Sequence, residues 1–599
     1  MVKDNYVIHK IFIGSLGVFM AVEITHALSN VVDGMITGHY LGSAELAACG
    51  IAKPFFSIVG IISGILAAGT QVVCSKSMGE GNMEETNHLF SLTCMISLLI
   101  SLVVMVTGIL FAGPIGMAFG ATGKTAYLLP YTREYLRGVF LGTPTLIGFA
   151  VLSPIMQLDG DGRRVKVAIF VLAVLNIAGD LLNVTVFHGG MFGMGLTTSI
   201  AEGVAFGILL LHFRKRDALF RFHFCRIHFK EMAQVLKIGL PRATKRLCKV
   251  FCPIIVNHRI LYIGAGIAMS AYSVEQSIED LAMIAASGIA EAVFLISGIF
   301  YGEQDRKAMS GLFHEAFKFS LILSGGIGLG IFIGAPWIVR VYVTDSKEII
   351  KLATIALRIL ALSLPLASIN QSLISYMQTI RKMKLSILFV VLQRFVIPIA
   401  NCYLLSMIFG TVGIYLVFVF NELFLFLALM VTVWRQNKKF PRCIDDCMML
   451  PEEFGVPKEN AIEISVQNMN QVIGLSVQVE NFCKVHGIDA RRRYFLSLCV
   501  EEMAGNVVKH GFSDGKKHGL DIRVLIIDNT LVLRMRDDCR PFDLKKWGAD
   551  MPLDDPCRGV GIRLVLGIAD QVSYVNSLKT NNLLIAISQK NGHVRFSKL

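Results

Sequence analysis

Charged residues are scarce in this sequence. Asp, Glu, Lys and Arg make up 17% of the 599 residues, whereas soluble domains carry about 25%. Hydrophobic residues make up 54% of the chain, and the mean hydropathy is +0.60. This balance excludes an ordinary soluble enzyme and predicts a membrane protein.

Two further patterns are missing. The thirteen cysteines show no C-x-x-C spacing, which predicts buried free thiols and no cysteine-based metal centre. The opening "MVKDNYVIHK" leads into a long apolar run without a small-residue cleavage site, so we expect no cleavable signal peptide. The net charge of +13 lies mostly in short loops between apolar runs, which indicates membrane topology and no nucleic-acid partner.

Long apolar runs are what the sequence has in excess. A bilayer crossing takes ~20 mostly apolar residues. We predict about twelve crossings, at 11–32, 52–73, 89–112, 131–153, 166–187, 191–212, 234–262, 274–299, 317–341, 353–377, 385–408 and 411–434. Lys and Arg concentrate in the loops after the even-numbered spans. Because such loops face the cytoplasm, we expect a multi-pass protein of the cytoplasmic (inner) membrane with both termini in the cytosol.

The two halves of the apolar region are similar to each other. The stretch that starts at Leu46 aligns without a gap with a stretch 223 residues later, so that Gly79-Glu80 falls on Gly302-Glu303. Two similar six-span halves are typical of transporters that bind substrate between repeats. We therefore predict a transmembrane region at 1–435 with lobes at about 1–215 and 230–435.

Three polar side chains inside the first half are candidates for function. Asp33 lies in "SNVVDGMITGHYLG" and Asp180 in "NIAGDLLNV". Asn176 precedes Asp180 by four residues, so both share a helix face. Ionisable groups inside a membrane are costly, and a carboxylate beside an amide can bind a proton or a small cation. The alternative is that each aspartate is a satisfied hydrogen-bonding group between packed helices.

These residues carry a resemblance to a known family. The stretches "SNVVDGMITGHYLG", "AELAACGIAKP", "SKSMGEGNMEE", "NIAGD" and "GLP" are similar to motifs of the multidrug and toxic compound extrusion (MATE) transporters. The resemblance covers about residues 8–435. It implies a two-lobed exchanger that is driven by H⁺ or Na⁺ and exports small organic cations or drug-like molecules. It also implies that Asp33, Asn176 and Asp180 form a cation site in the first lobe.

Two details of this resemblance stay open. The family often places a threonine of the sixth span near that site, and Thr197, Thr198 and Ser199 are equally eligible here. Some members carry an acid early in the seventh span, where this chain has basic residues: Arg242, Lys245, Arg246 and Lys249. These cations could mark the cytoplasmic helix end, face an anionic substrate or the soluble part, or pair with the acids around the eighth span.

After Arg435 the composition becomes polar. The segment 436–461 contains prolines and predicts a linker. The remainder, 462–599, predicts a soluble α/β sandwich large enough for its own core. Its predicted strands are 462–466, 520–527, 530–536, 571–577 and 582–588, and its predicted helices are 468–485, 489–511 and 559–569.

The second of these helices contains the stretch "CVEEMAGNVVKHGF". Glu502, Asn506 and Lys509 follow one another at spacings of four and three, beside the apolar face. An Asn oxygen suits Mg²⁺, and a carboxylate one turn away can accept a proton from a nucleophile. The same pattern also fits the charged edge of an ordinary amphipathic helix.

Two later stretches favour the functional interpretation. "DDCRPFD" begins with Asp537, and "RGVGIRLV" opens a helix with glycines. In this order the three stretches resemble the N box and two glycine boxes of the GHKL ATPases, most closely the anti-sigma-factor serine kinases. The resemblance implies ATP and Mg²⁺ as cofactors. By the family's motifs, Asn506 would hold Mg²⁺, Glu502 would be the catalytic base, Asp537 would bond the adenine, Gly559 and Gly561 would let a lid helix approach the phosphates, and Arg558 and Lys509 are phosphate candidates.

One residue departs from the motif. Cys539 stands where the first glycine box has glycine, and we expect it to need a backbone conformation that glycine adopts more easily. Three interpretations remain. The tail could be a serine kinase or anti-sigma-type module that recognises an anti-anti-sigma-type partner protein, or a nucleotide sensor that gates transport. Alternatively, the membrane part is a sensor that no longer transports and signals through the tail.

Overall fold

A computed structural model describes most of the chain. The described residues are 6–119, 121–215, 218–224, 229–342, 347–451, 453–527, 529–544 and 560–588. Two of the expected site residues, Arg558 and Gly559, lie outside them.

The first 437 residues are almost entirely helical. The helices are α1 (Tyr6–Ile36), α2 (Ser43–Gly79), α3 (Met83–Leu110), α4 (Ala112–Ala118), α5 (Leu129–Leu141), α6 (Thr143–Leu158), α7 (Gly162–Leu182), α8 (Gly190–Leu210), α9 (Phe229–Ala282), α10 (Ile284–Gly302), α11 (Arg306–Phe319), α12 (Gly325–Tyr342), α13 (Lys347–Thr379), α14 (Met383–Val391) and α15 (Ile397–Asn437). Short π-helical turns follow at Thr37–Leu41, Asn183–Phe187, Ser320–Ser324 and Leu392–Val396. Within the described ranges, nine helical stretches are long and apolar enough to cross a membrane, or ten with the bent pair α5–α6.

Some of these stretches hold two crossings. The stretch from Met383 to Asn437 breaks at Gly410, whose φ of 58° and ψ of −134° are not helical. In α9, Lys249 pairs with Asp280 at 2.8 Å, although 31 residues of straight helix would separate them by about 46 Å. The chain therefore reverses direction between these two residues. The predicted fold class, an α-helical polytopic protein with about twelve spans in two six-helix lobes, is confirmed together with the α/β tail.

The two halves repeat in detail at their loops. Helices α2 and α10 end at Gly79 and Gly302, and α3 and α11 are capped by Asn82 and Asp305. Each cap accepts a hydrogen bond from a backbone N–H three residues on, at 3.1 and 2.9 Å. All these pairs differ by 223 positions, which is the shift that the sequence comparison gave.

The lobes contact each other at the end where these loops lie. A Cβ added to Gly79 would lie 2.2 Å from the carbonyl oxygen of Ile299 and 3.0 Å from the Cα of Gly302. A Cβ added to Gly239 of α9 would lie 2.2 Å from the carbonyl oxygen of Ile65 in α2. Only glycine permits backbones to approach this closely. The lobes are therefore closed against each other along this seam.

The tail is a five-stranded antiparallel sheet covered by helices. The strands β1 (Ala461–Val466), β2 (Leu520–Ile527), β3 (Thr530–Asp537), β4 (Gln571–Ser577) and β5 (Thr580–Ile587) pair in the order β1-β2-β3-β5-β4. The helices are α16 (Met469–Val485), α17 (Ala490–Asn506) and α18 (Val560–Ile568). Apolar side chains of the helices and of one sheet face form a separate core, with Leu475, Val500 and Ile585 fully buried. The other face of the sheet packs on the membrane helices, because Val575 belongs to their core.

Candidate functional site

The polar residues of the first lobe meet between α1, α7 and α8. Asn176 donates a hydrogen bond from its amide nitrogen to Asp33 at 2.6 Å, and the same nitrogen lies 3.4 Å from the Asp180 carboxylate. The carboxyls of Asp33 and Asp180 are themselves within hydrogen-bond reach of each other. Asp180 is 1% exposed and Asn176 2% exposed. The structure thus brings the three residues named from the sequence into one cluster, in which Asn176 and Asp180 are buried and Asp33 is half-buried.

The structure also selects one hydroxyl from the sixth span. Thr197 donates to Asp180, whereas Thr198 donates to the carbonyl oxygen of Met194 and Ser199 to that of Gly138. The sequence left these three open because the helical register at this position cannot be read from composition alone. Thr197 completes a cluster of two carboxyls, one amide and one hydroxyl.

Irregular backbone flanks this cluster on both sides. A π-helical turn at Thr37–Leu41 follows α1, and the Thr37 hydroxyl donates to the carbonyl oxygen of Asp33 at 2.7 Å. A second π-helical turn, at Asn183–Phe187, follows α7 just after Asp180. Single π turns within helices are frequent at functional sites. They re-aim side chains that a regular helix would direct elsewhere.

The basic residues of the seventh span have acidic partners. Arg242 forms an ion pair with Glu291 of α10, and its guanidinium lies 4.8 Å from the centre of the Phe294 ring. Lys249 pairs with Asp280. Of the uses left open for these cations, pairing with acids of the eighth span is therefore the one observed for Arg242 and Lys249.

In the tail, the residues of the N box lie where α17 ends. Glu502 and Asn506 are partly buried on the last turns of α17. Within the described part of the chain, no hydrogen bond or ion pair involves either side chain. Lys509 lies beyond the regular helix, in a π-helical turn at Val507–Gly511, and is exposed to solvent. It stays a phosphate candidate predicted from the sequence.

Asp537 is held at the end of β3 by a partner that sequence reasoning missed. Its Oδ1 accepts hydrogen bonds from the Asn581 side chain at 2.7 Å and from the Cys539 backbone N–H at 3.0 Å. Burial raises the pKa of Asp537, and the bond from Asn581 opposes that rise. Asn581 is the direct cross-strand neighbour of Asp537 in β5. A correct strand pairing would have revealed it.

The concern about Cys539 is not supported. Its φ is not positive, so it needs no conformation reserved for glycine. Its thiol packs against Gly511, where an added Cβ would lie 2.6 Å from Sγ. Burial, reinforced by the neighbouring charges of Asp537 and Asp538, raises the pKa of the thiol far above its ordinary value. Cys539 is therefore a neutral packing group beside Asp537.

The second glycine of the last motif lies directly on the N-box helix. A Cβ added to Gly561 would lie 1.8 Å from the Glu502 carboxylate oxygen Oε2. The side chain of Glu502 therefore occupies the place where any other residue at position 561 would carry its Cβ. This contact brings the last motif of the tail to the first one, as a nucleotide-binding fold requires.

The two lobes repeat each other, and the first holds a cluster of carboxyls, which together define a membrane transporter fold. The tail defines an ATPase-like domain. The sequence model of the MatE family matches residues 19–182 and 241–404, together more than half of the chain. The chain therefore belongs to the MatE family. The model described as histidine kinase-like ATPase domain matches residues 467–587, so the chain also carries such a domain.

Individual relatives agree with this assignment. The chain is 22% identical over 418 residues to the multidrug export protein MepA of Staphylococcus aureus (strain MRSA252). The aligned region covers 68% of this chain and 90% of MepA. A crystal structure of MATE in complex with MaL6 superposes with a TM-score of 0.64, at 20% identity, over 70% of this chain and 94% of the other. The outward-facing conformation of a multidrug resistance MATE family transporter of the MOP superfamily superposes with a TM-score of 0.65, at 18% identity, over 72% of this chain and 96% of the other.

Proposed function

We propose that the chain is an exporter of small organic, drug-like molecules that is coupled to H⁺ or Na⁺ and regulated by an ATP-binding tail. The observation that carries the proposal is the cluster of Asp33, Asn176, Asp180 and Thr197. The name of the relative MepA, a multidrug export protein, supports the substrate class.

The cluster is suited to bind and release a small cation. Two carboxyls in contact repel each other when both are charged, so the pair favours one proton or one metal cation between them. The amide of Asn176 and the hydroxyl of Thr197 hold the carboxyls in place. A cation that arrives there cancels charge in a low-dielectric environment, which gives the lobe two states that differ in charge.

The topology follows from the charge of the loops. We place the protein in the cytoplasmic membrane with both termini in the cytosol, because Lys and Arg concentrate on the side that carries the tail. We assign 1–435 to the transporter, 436–461 to the linker and 462–599 to the ATP-binding domain. The end at which the lobes are closed against each other is then the cytosolic end.

The residues of the tail fit ATP and Mg²⁺. Asp537 is a buried carboxylate whose orientation is fixed by Asn581, as recognition of an adenine amino group requires. Among the described residues neither Asn506 nor Glu502 has a side-chain partner. Asn506 can offer its amide oxygen to Mg²⁺, and the Glu502 carboxylate can take a proton from a hydroxyl nucleophile. ATP would supply a transferable phosphoryl group there. Arg558 and Gly559 remain candidates from the sequence for the phosphate side.

Export is tested by removing the charges of the cluster. We expect the Asp33→Asn/Asp180→Asn variant to lose cation-driven efflux of a cationic dye in everted vesicles by at least about tenfold, because the cluster then carries no charge that binds the coupling cation. A tenfold loss corresponds to about 1.4 kcal/mol. Glu84→Gln, an exposed acid in the first turn of α3, is the matched control and should transport normally. Efflux that persists in the double variant contradicts the assigned cation site.

A second candidate function is a protein-serine kinase activity of the tail. It is favoured by Glu502 and Asn506, whose side chains are partly buried and have no hydrogen-bond partner among the described residues, and by the buried Asp537. The full-length protein should transfer label from γ-labelled ATP to a serine of an anti-anti-sigma-type partner protein, and Glu502→Gln should abolish transfer while ATP binding is retained. ATP binding without transfer in the wild type would leave the tail as a nucleotide sensor.

A further inference from the structure

The face of the tail sheet opposite its helices carries three arginines that the ATPase fold does not use. Arg523 on β2 and Arg534 on β3 are direct cross-strand neighbours, and Arg536 lies two residues further on the same face. Like charges opposite each other destabilise a sheet unless anions meet them. Arg523 is nevertheless only 8% exposed. Glu463 of β1 meets it at 2.9 Å, which leaves Arg534 and Arg536 to be met by acids from outside the sheet.

The second lobe of the transporter provides that partner. Arg536 forms an ion pair with Glu303, and its guanidinium lies 4.7 Å from the centre of the Phe300 ring. Arg523 lies 3.8 Å from Asp305, which caps α11. Burial opposes ionisation of Asp305, but Arg523 and Arg536 hold its pKa below the ordinary value. The loop 302–305 is thus bound by charge as well as by contact.

The same sheet also binds the first lobe. Arg534 donates from Nη1 to the carbonyl oxygen of Gly79 at 3.2 Å while it lies 3.9 Å from Glu303. The backbone N–H of Leu578, after β4, donates to the carbonyl oxygen of Leu158 at 3.2 Å. One guanidinium therefore joins the ends of α2 and α10, which belong to different lobes.

The position of these contacts gives them a consequence for transport. Gly79 and Gly302 touch across the seam between the lobes, and exchange of access requires this seam to open. A tail that only tethered itself to one lobe would leave the seam free. A sheet that binds both rims of the seam has to release one of them before the lobes can separate.

We infer that the outer face of the tail sheet is an intramolecular lock, in which Arg523, Arg534 and Arg536 hold the cytosolic ends of both lobes together. The inference rests on the proposed function, because it requires that the lobes alternate and that the tail is cytosolic. It goes beyond that function by assigning the regulation to a defined surface. Release of the sheet opens the seam toward the cytosol.

The lock is tested with a reporter on the seam. Ser75 is fully buried on α2, and a Cβ added to Gly298 of α10 would lie 1.9 Å from its Oγ. We introduce Ser75→Cys into a cysteine-free version of the full chain that unfolds at the wild-type temperature, and measure labelling by a membrane-impermeant maleimide from the cytosolic side. Arg534→Gln/Arg536→Gln should raise the labelling rate roughly tenfold, which corresponds to about 1.4 kcal/mol.

Controls separate the lock from general damage. Arg491→Gln, at an exposed arginine of α17, should leave labelling unchanged. Glu303→Arg alone should raise labelling, and combination with Arg536→Glu should lower it again because the ion pair is restored with reversed signs. Unchanged labelling in Arg534→Gln/Arg536→Gln, while hydrogen exchange shows β3 released from the lobes, would overturn the lock. This readout does not depend on efflux, so it is independent of the outcome of the Asp33→Asn/Asp180→Asn experiment.

Discussion

At the scale of single residues, neutral side chains orient the carboxyls that matter most. Thr197 donates to Asp180 in the first lobe, and Asn581 donates to Asp537 in the tail. Both carboxyls are almost fully buried, so each would lose solvation without such a donor. Orientation and solvation of the two sites therefore depend on residues that carry no charge.

The hydroxyl of Thr197 gives a prediction with a matched control. Thr197→Val keeps the shape of the side chain and removes the donor to Asp180, and a hydrogen bond to a charged group is worth about 1.5–3 kcal/mol. We expect a loss of roughly tenfold or more in cation-driven efflux at unchanged protein level. Thr198→Val should be nearly silent, because Thr198 bonds only the backbone of its own helix. Equal effects of the two variants would contradict the role of Thr197.

The sequence reached the carboxyls of both sites and Asn176, but it left Thr197 open between three hydroxyls and missed Asn581. Asp33, Asn176, Asp180 and Asp537 stand out because polar groups in apolar or motif surroundings are conspicuous. Asn581 is one of three polar residues that open the mostly apolar strand β5, and only the register that places it opposite Asp537 gives it a role. Tertiary neighbours of this kind depend on strand pairing, which a single sequence does not fix.

At the scale of elements, the spacing of the apolar residues predicted the bounds of several strands and helices of the tail to within a residue or two. The expected strand 520–527 and the strand 571–577 coincide with β2 and β4, and the expected helix 559–569 differs from α18 by one residue at each end. The π-helical turn after Asn506 was not expected, since its apolar pattern differs little from that of a continued helix. Lys509 lies in this turn and is exposed.

The approach of α18 to α17 gives a second prediction. In Gly561→Ala the new methyl would meet the Glu502 carboxylate at 1.8 Å, so α18 has to move away or Glu502 has to turn. The carboxylate is the far end of a flexible side chain, so its turning is the smaller change. We expect the turned carboxylate to disturb the nucleotide site and lower the ATP affinity of the full-length protein roughly tenfold, about 1.4 kcal/mol, measured by nucleotide titration.

Gly567→Ala is the control on the same helix. No atom lies within 4 Å of its added Cβ, and alanine stabilises a helix interior by roughly 0.5–1 kcal/mol relative to glycine. This variant should bind ATP like the wild type and unfold at an equal or higher temperature. ATP binding that is unaffected by Gly561→Ala would show that the contact between α18 and Glu502 plays no part in the nucleotide site.

At the scale of the whole molecule, the tail and linker cover all four loops that the repeat places at this end. The sheet binds the loops that begin at Leu158, Gly79 and Gly302, as described above. The linker binds the fourth, because Lys382 donates to the carbonyl oxygen of Met449 at 2.7 Å. The internal repeat was visible in the sequence, whereas this docking was not. The arginines of β2 and β3 alternate with apolar residues and resemble an ordinary solvent-facing side of a strand.

A connection between the nucleotide site and the lobes completes this arrangement. Lys10 of α1 forms an ion pair with the fully buried carboxylate of Asp538, whose chain neighbour is the adenine candidate Asp537. The backbone N–H of Gly519 donates to the same carboxylate at 2.9 Å. A ligand that binds Asp537 therefore lies next to the ion pair of Asp538 and Lys10, which joins the tail to the first transmembrane helix.

If ATP binding and the lock are coupled in this way, the coupling has to be reciprocal. Whatever factor ATP applies to the equilibrium between locked and released states, release applies to the affinity for ATP. We expect ATP to change the labelling rate of Ser75→Cys in the full chain, and Arg534→Gln/Arg536→Gln to change the ATP dissociation constant in the matching direction, by at most the same factor. The first is measured by maleimide labelling with and without a non-hydrolysable analogue, and the second by titration of the same analogue. An effect of the analogue on labelling together with identical affinities in the locked and released proteins would show that ATP reaches the seam by another route.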